Sequence, residues 1–563
     1  MKNKLFVLAT TTLLASNVFA ATATSVTAAN FGSAVVDTAA NETYNIVSDI
    51  TLGSTNGGPA ADGTAADSNY ILEGFTFVNP GVTLTIEPGT IVRGQPFEAG
   101  KNVGSLVVSR GGAINAQGLV NSPITFTTAA NSDGDRFSNG DTFLDANPTT
   151  TPLAPAVGNT SNVGLWGAVT LLGYAPTNRG GLNGSITPGT AYIEGYGLST
   201  EAVTYGGRVA SDSSGIMKYV SIRHSGKAIT EGDEQQGLTL GGVGNGTVLE
   251  NIEIYGSIDD GIEIFGGTVN LKNVVISYVN DDNFDVDQGW TGNAQNVFLL
   301  AGNLGEGDGN VTTDRVLEWD GEDGSGVADG IVDGDGRTVG MIDNTGKLSA
   351  TGQPFHNCTI YNMTIFAEGA SLSARLRAGF GGSVYNSIIY KSPSEGFRID
   401  GDANGNAAAA GYPATDPRSQ AAAGTVNFAG VAFVDCASNT STSIGKDAYA
   451  RAFVANDTNL CPGAVGNVII DEDVVNNLGG SMGFGYYVDS TGNKVNAQTT
   501  ANGINPVPLQ NAAAVVDEVG SFFDDVDYKG AFPTSRYAAL WTTGWTALNQ
   551  LGYLVDNANG DNL

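Results

Sequence analysis

Apolar and polar residues alternate over short β-branched runs for most of this chain. Leu249, Ile252 and Ile254 recur as Leu271, Val274 and Ile276, a shift of 22 residues. A further copy follows 23 residues on, at Val297 and Leu299. An Asn accompanies each copy: Asn251, Asn273 and Asn296, then Asn362 a further 66 residues along and Asn386 after another 24. Period-two alternation signals strands rather than helices, and a repeat of this length signals a solenoid. At about 3.3 Å per strand residue, 22 residues supply three short strands and their turns, one triangular coil. A propeller blade needs about 40 residues, and a leucine-rich repeat needs a comb of Leu that is missing. The recurring Asn falls at a turn, where its amide can bond the Asn one coil away or simply suit left-handed backbone.

The same alternation appears earlier, in Val82, Leu84, Ile86, Leu106, Val108, Ile114, Ala116, Ile124 and Phe126, broken by Gly and Pro. These runs read as the first coils. The expected fold is all-β, a right-handed parallel β-helix over residues 71–470, with insertions at about 131–160 and 303–350. Residues 21–70 are expected to form an N-terminal cap and 471–563 a C-terminal capping region. There Phe532, Trp541, Trp545 and Tyr553 would plug the last coil and cover its open strand edges. Residues 1–20 read as a secretory signal: Lys2 and Lys4, an apolar run from Leu5 to Ala15, then Val18-Phe19-Ala20 as a cleavage site. No Cys stands at the cut, which argues against a lipid anchor, and no later stretch is apolar enough to cross a bilayer as a helix. The expected location is extracellular or the outer cell surface.

Composition sharpens this picture. The 79 glycines lack a three-residue period and therefore serve turns. Acidic residues outnumber basic ones 57 to 25, a balance that repels nucleic acid and attracts cations. Two His leave almost no material for serine–histidine or cysteine–histidine catalysis. Cys436 and Cys461 lie 25 residues apart in a segment without strong strand signals, and a disulfide between them is expected. Cys358 is expected to be a small buried residue, and no Cys/His cluster suggests zinc.

Trp166-Gly167 with Leu171-Leu172-Gly173, Tyr219 to His224, Leu238 to Gly242, Gly530-Ala531-Phe532 and Trp541 to Trp545 carry a resemblance. They are similar to secreted bacterial β-helix proteins of the pectate-lyase-like superfamily, closest to an uncharacterised surface and secreted group. The resemblance implies the fold over about Gly81 to Leu554. It singles out no one activity, because that group has no single known activity and fold does not dictate function.

Candidate chemistry comes from the repeat register. The run from Ser257 to Ile264 aligns at 22 residues with that from Val279 to Val286. Asp259 should therefore lie over Asp281, Asp260 over Asp282 and Glu263 over Asp285, with Asp287 following. Two bare carboxylates about 4.8 Å apart repel by about 0.9 kcal/mol in water and about 3.5 kcal/mol at an effective dielectric of 20. With only Lys272 nearby in sequence, a bound hard cation, Ca²⁺, is the favoured answer. A solvated acidic face and a catalytic carboxylate group are the alternatives. Asn131, Asp133, Asp135, Phe137 and Asn139 have the spacing of an EF-hand loop. However, Arg136 and Thr142 replace the Gly and the bidentate Glu, so a weak site and a plain polar turn are both open. Asp320, Glu322, Asp323, Asp329, Asp333 and Asp335 read as an acidic insertion, calcium-binding or disordered.

The resemblance also implies a rival. β-Helix polysaccharide lyases use calcium on stacked acids plus an Arg or Lys base, and polygalacturonases use clustered Asp. Asp260, Asp282, Arg375 and Arg377 are the catalytic candidates, although the His-flanked glycine motif and Arg-x-Lys pair of a polygalacturonase are missing. The leading expectation is a calcium-stabilised, secreted or cell-surface protein with a structural, adhesive or glycan-binding role. Its partners would be polysaccharide or cell-surface components. The alternative is a polysaccharide lyase or glycoside hydrolase acting on an acidic polysaccharide.

Overall fold

The computed structural model describes residues 23–38, 42–53, 69–138, 140–149, 153, 162–178, 189–230, 233–302, 313–321, 341–342, 348–349, 356–377, 380–401, 417–470, 484–485, 505–508, 516–517, 519–533 and 539–554. The expected signal segment and most of the 303–350 insertion lie outside them. The described residues form a parallel β-helix built on two long sheets of eleven and eighteen strands, here sheet I and sheet II. One coil runs from Ile262–Phe265 in sheet I to Asn270–Ser277 in sheet II, and the next from Phe284–Asp287 to Asn293–Leu300. Pairing is parallel and in register, with Leu249 beside Leu271 and Ile262 beside Phe284.

Sheet II is bent into two arms, which gives the coil its third side. In the early coils the arms are separate strands, Ala113–Gln117 and Ile124–Thr128. Both pair with the single long strand Gly215–Ser225, on either side of Tyr219. Tyr219 has a positive φ, +49°, and so do the repeat residues Asn251, Asn273, Asn296, Asn362 and Asn386, between +47° and +59°. Asn tolerates this left-handed backbone better than other side-chain-bearing residues. Its amide also makes the ladder: Asn273 Nδ2 donates to Asn251 Oδ1 at 3.1 Å, and Asn296 Nδ2 to Asn273 Oδ1 at 2.9 Å. Both roles open to the recurring Asn are filled at once.

The inward residues of all three sides, among them Ile262, Ile264, Leu271, Val274 and Ile276, form one continuous core. Two expectations about the C-terminal half are corrected. First, the segment between Cys436 and Cys461 is helical, with helices Ser441–Ile444 and Ala448–Ala455. Gly445 pairs with Phe397, so this segment takes the place of a sheet I strand, and Phe453 packs into the core against Phe428. All three cysteines are free and buried: Cys436 Sγ lies beside the carbonyls of Ile389 and Val434, and Cys461 Sγ beside that of Tyr449. The expected disulfide is absent because the two thiols serve as apolar filler at different places in the core.

Second, the C-terminal residues described between 516 and 554 do not plug the last coil. They run along the outside of the stack, covering two outward columns, Val275 with Phe298 and Leu300 with Phe366 and Tyr390, and Tyr255 beside them, with Phe532, Leu540, Ala547 and Leu548. Polar side chains hold the backbone of this strap. Asn386 bonds both N–H and C=O of Val516, Gln295 does the same for Asp524, and buried Glu253 accepts from the N–H groups of Ala547 and Leu548. Trp545 is fully buried edge-on to Tyr219, far from the final coils. No helix among the described residues is long and apolar enough to cross a membrane.

The Asn ladder yields a stability test. Replacing Asn273 with Ala forces an ordinary residue into left-handed backbone and removes two amide bonds, so the loss should be about 2 kcal/mol. Asn273→Gly keeps the backbone freedom and should lose less. The melting temperatures of both variants check the order, and an Ala variant as stable as wild type contradicts it.

Candidate cation site

Sheet I carries the acidic residues because strand alternation points every second side chain out of the core. In the coil-to-coil register, the outward row reads Thr239, Glu263, Asp285, Glu318, Arg375, Arg398. A parallel outward row pairs Phe265 with Asp287 and Asp320 with Arg377. The turn before each sheet I strand adds the expected Asp pairs. Asp282 N–H donates to Asp260 Oδ1 at 2.9 Å, which stacks the two residues as the 22-residue shift predicts.

The next coil repeats this bond with a different residue. Arg315 N–H donates to Asp282 Oδ1 at 2.7 Å, and Asp314 N–H donates to the Asp281 carbonyl at 3.0 Å. The turn columns therefore run Asp259, Asp281, Asp314 and Asp260, Asp282, Arg315. Asp314, Arg315 and Glu318 escaped the repeat search because 33 residues, rather than 22, separate Asp282 from Arg315. The signal was nevertheless there: Asp314-Arg315-Val316-Leu317-Glu318-Trp319 keeps the polar and apolar order of Asp281-Asp282-Asn283-Phe284-Asp285-Val286 at every position but the third, where Val316 replaces Asn283.

The acids bring their side chains together in three triads, each able to place one ligand oxygen per residue within 4.8 Å of the others. These are Asp259, Asp260 and Asp281; Asp260, Glu263 and Asp285; and Asp281, Asp282 and Asp314. Of the acids expected at a metal, only Asp287 joins no triad, and its Oδ1 accepts from Gln288 N–H at 2.6 Å.

Charge compensation divides the face. Arg315 reaches Asp282 at 3.2 Å, Asp314 at 2.8 Å and Glu318 at 2.6 Å. Arg377 Nε sits at 2.5 and 2.6 Å from the two oxygens of Asp320 and at 3.2 Å from Glu318, while Arg375 pairs with Asp400 at 2.7 Å. Among the described residues, no Lys or Arg pairs with Asp259, Asp260, Glu263, Asp281 or Asp285. Lys272, expected to be the nearby cation, instead pairs with Asp524 of the strap at 2.8 Å. Glu263 is 7% exposed, and its Oε2 has no hydrogen-bond partner. Asp259, Asp281 and Asp285 are only half-buried, so the group has an approach from solvent.

Burial, then the neighbouring carboxylates, push these acids up. Asp259 rises to about 8, through burial and then Asp281 and Glu234. Asp260, Glu263 and Asp285 are all raised well above the usual carboxylate range for the same reasons. Burial carries Asp320 to about 6 although Arg377 opposes it. Glu194 and Glu234, from segments outside the coil repeat, add negative charge next to Asp259. Gln236 Nε2 bridges Glu194 and Asp259 at 2.8 and 3.4 Å.

The other calcium candidates fare differently. In the loop from Asn131, the Asn131 Oδ1 accepts from the backbone of Asp133 and Asp135, and Arg136 turns inward to Glu42. This is a self-satisfied polar turn; Asn139 lies outside the described residues. Of the acidic run after Asp320, residues 322–340 also lie outside them.

A family model described as a pectate-lyase-like β-helix domain matches residues 62–138 and 150–468. Neither a curated protein nor a solved structure matches the chain.

The raised carboxyls set a pH dependence. Their folded values lie above the unfolded value of about 4, so their stabilising contribution is complete below about pH 4 and is lost as pH rises through the folded values. Cation-free protein should therefore melt at progressively lower temperature from about pH 4 to about pH 8, the value of Asp259. Asp260→Asn should flatten that slope. Thermal melts in EDTA across this window check the sign, and a melting temperature that rises with pH contradicts it.

Proposed function

The chain belongs to the pectate-lyase-like β-helix family, and from that premise we propose that it is a calcium-binding β-helix protein with a structural, adhesive or glycan-binding role at the cell surface or outside the cell. One observation carries the reading: five carboxylates, Asp259, Asp260, Glu263, Asp281 and Asp285, gather in two triads that share Asp260, with no ion pair to Lys or Arg among the described residues and only longer-range help from Arg315 at Asp281 and Arg377 at Asp285. Five buried or half-buried negative charges need neutralisation, and carboxylate oxygens at this density match a calcium ion, which takes six to eight oxygen ligands. Half-buried Asp259, Asp281 and Asp285 leave room for water or a ligand oxygen to complete the shell. A cation held there would stabilise the stack and offer a contact for hydroxyl or carboxylate groups of a polysaccharide. The expected signal segment at residues 1–20 supports export.

The lyase alternative fits the side chains less well. A catalytic base must give up its proton, and Asp320 and Glu318 hold the Arg377 guanidinium firmly in its charged form. Arg375 is tied to Asp400. Asp260 and Asp282 engage in backbone hydrogen bonds between coils, a structural use of both.

Calcium at about 100 times its Kd should stabilise the protein by about 2.7 kcal/mol, and more strongly at pH 8 than at pH 5, where protons compete. Glu263→Gln should weaken binding by on the order of tenfold or more. Titration calorimetry and thermal melts with and without EDTA check this. A melting temperature indifferent to EDTA sinks the metal reading. Release of unsaturated products from an acidic polysaccharide, lost in Asp282→Ala or Arg377→Ala, would establish the lyase instead.

A further inference from the structure

We propose that Arg315 is a tethered counter-ion that fills one of the three contiguous carboxylate triads and so confines metal binding to the other two. This rests on the cation-binding reading above and deepens it, by fixing where the metal sits and how many ions the face can take.

The triads share members: Asp260 belongs to the first two, and Asp281 to the first and third. The acidic face is therefore one continuous string of oxygens spanning three coils. By residue type alone the third triad, Asp281, Asp282 and Asp314, is as good a metal site as the others. It differs in what already occupies it. The guanidinium of Arg315 contacts Asp282, Asp314 and Glu318, all within 3.2 Å. Its own backbone N–H also holds the second oxygen of Asp282 at 2.7 Å. Asp282, 2% exposed, thus has both carboxylate oxygens engaged by one residue, whose positive charge disfavours an ion beside it.

The placement follows from the register. Arg315 occupies, in its coil, the position that Asp260 and Asp282 occupy in theirs, so the acid column ends on a base of opposite charge. A guanidinium keeps its charge at any physiological pH and offers several donors in a rigid fork, which suits permanent occupation of a carboxylate cluster. The first two triads contain no such residue. Their five carboxylates, with the unpartnered Oε2 of Glu263, are the ligands that an external cation would use.

The number of calcium ions bound at equilibrium dialysis tests this. Arg315→Gln should bind one more calcium equivalent than wild type, whereas Arg315→Lys, which keeps the charge, should not. Asp314→Asn, in the blocked triad, should retain wild-type stoichiometry and an affinity within about twofold, whereas Glu263→Gln should weaken binding by on the order of tenfold or more. An Arg315→Gln protein that is folded by circular dichroism and keeps the wild-type stoichiometry overturns the proposal. Loss of a calcium in Asp314→Asn also overturns it, and that variant serves should Arg315→Gln fail to fold. The two readings fail separately. Wild type binding no calcium while Arg315→Gln binds one ends the native metal site but upholds the counter-ion; no binding by either ends both.

Discussion

Parallel hydrogen bonding between successive coils places each residue about 4.8 Å above its counterpart, and every other feature of this protein follows from that spacing. Because side chains alternate in and out of each strand, a position that is apolar in one coil must be apolar in the next. The core is accordingly a set of columns, Leu249 on Leu271 and Ile262 on Phe284. The same stacking converts a turn residue into a ladder. Asn251, Asn273 and Asn296 share left-handed backbone and bond amide to amide along the axis.

Stacking also sets like charges on like charges, and this is where the fold meets its main cost. Polar columns satisfy themselves when the side chain both donates and accepts, as Asn does, but carboxylates only accept. An acid column therefore needs positive charge from elsewhere. Along sheet I the chain supplies part of it, with Arg315, Arg375 and Arg377 set against Asp282, Asp314, Glu318, Asp320 and Asp400. Toward the earlier coils, no described residue forms an ion pair with Asp260, Glu263 or Asp285, and Arg377 reaches Asp285 only at longer range. The boundary between compensated and uncompensated acids falls within the width of a single coil.

The strap shows a second use of the ladder position. From Asn362 onward the Asn column continues, but its amides bond outward rather than to one another. Asn362 and Asn386, with Gln295 beside them, then hold the backbone of residues 516–528. The outward faces of the second arm of sheet II are aromatic and aliphatic, and the strap converts what would be a long exposed apolar ridge into core.

The sequence by itself determined the coil. Its 22-residue repeat and period-two alternation specify strands, their stacking partners and the left-handed Asn, because those properties depend on neighbours at a fixed spacing. For the same reason it determined that Asp260 meets Asp282 and Glu263 meets Asp285. Only the tertiary structure decided what surrounds them. Arg315 enters the acid column across an insertion that lengthens its coil from 22 residues to 33, and Glu194 and Glu234 arrive from segments outside the repeat. Lys272, close in sequence, is drawn away to Asp524. The free thiols and the lateral course of the C-terminal strap likewise depend on irregular segments packing onto a finished solenoid. A repeat makes position predictable within the stack; where an insertion or tail comes to rest is set by the surface it finds there.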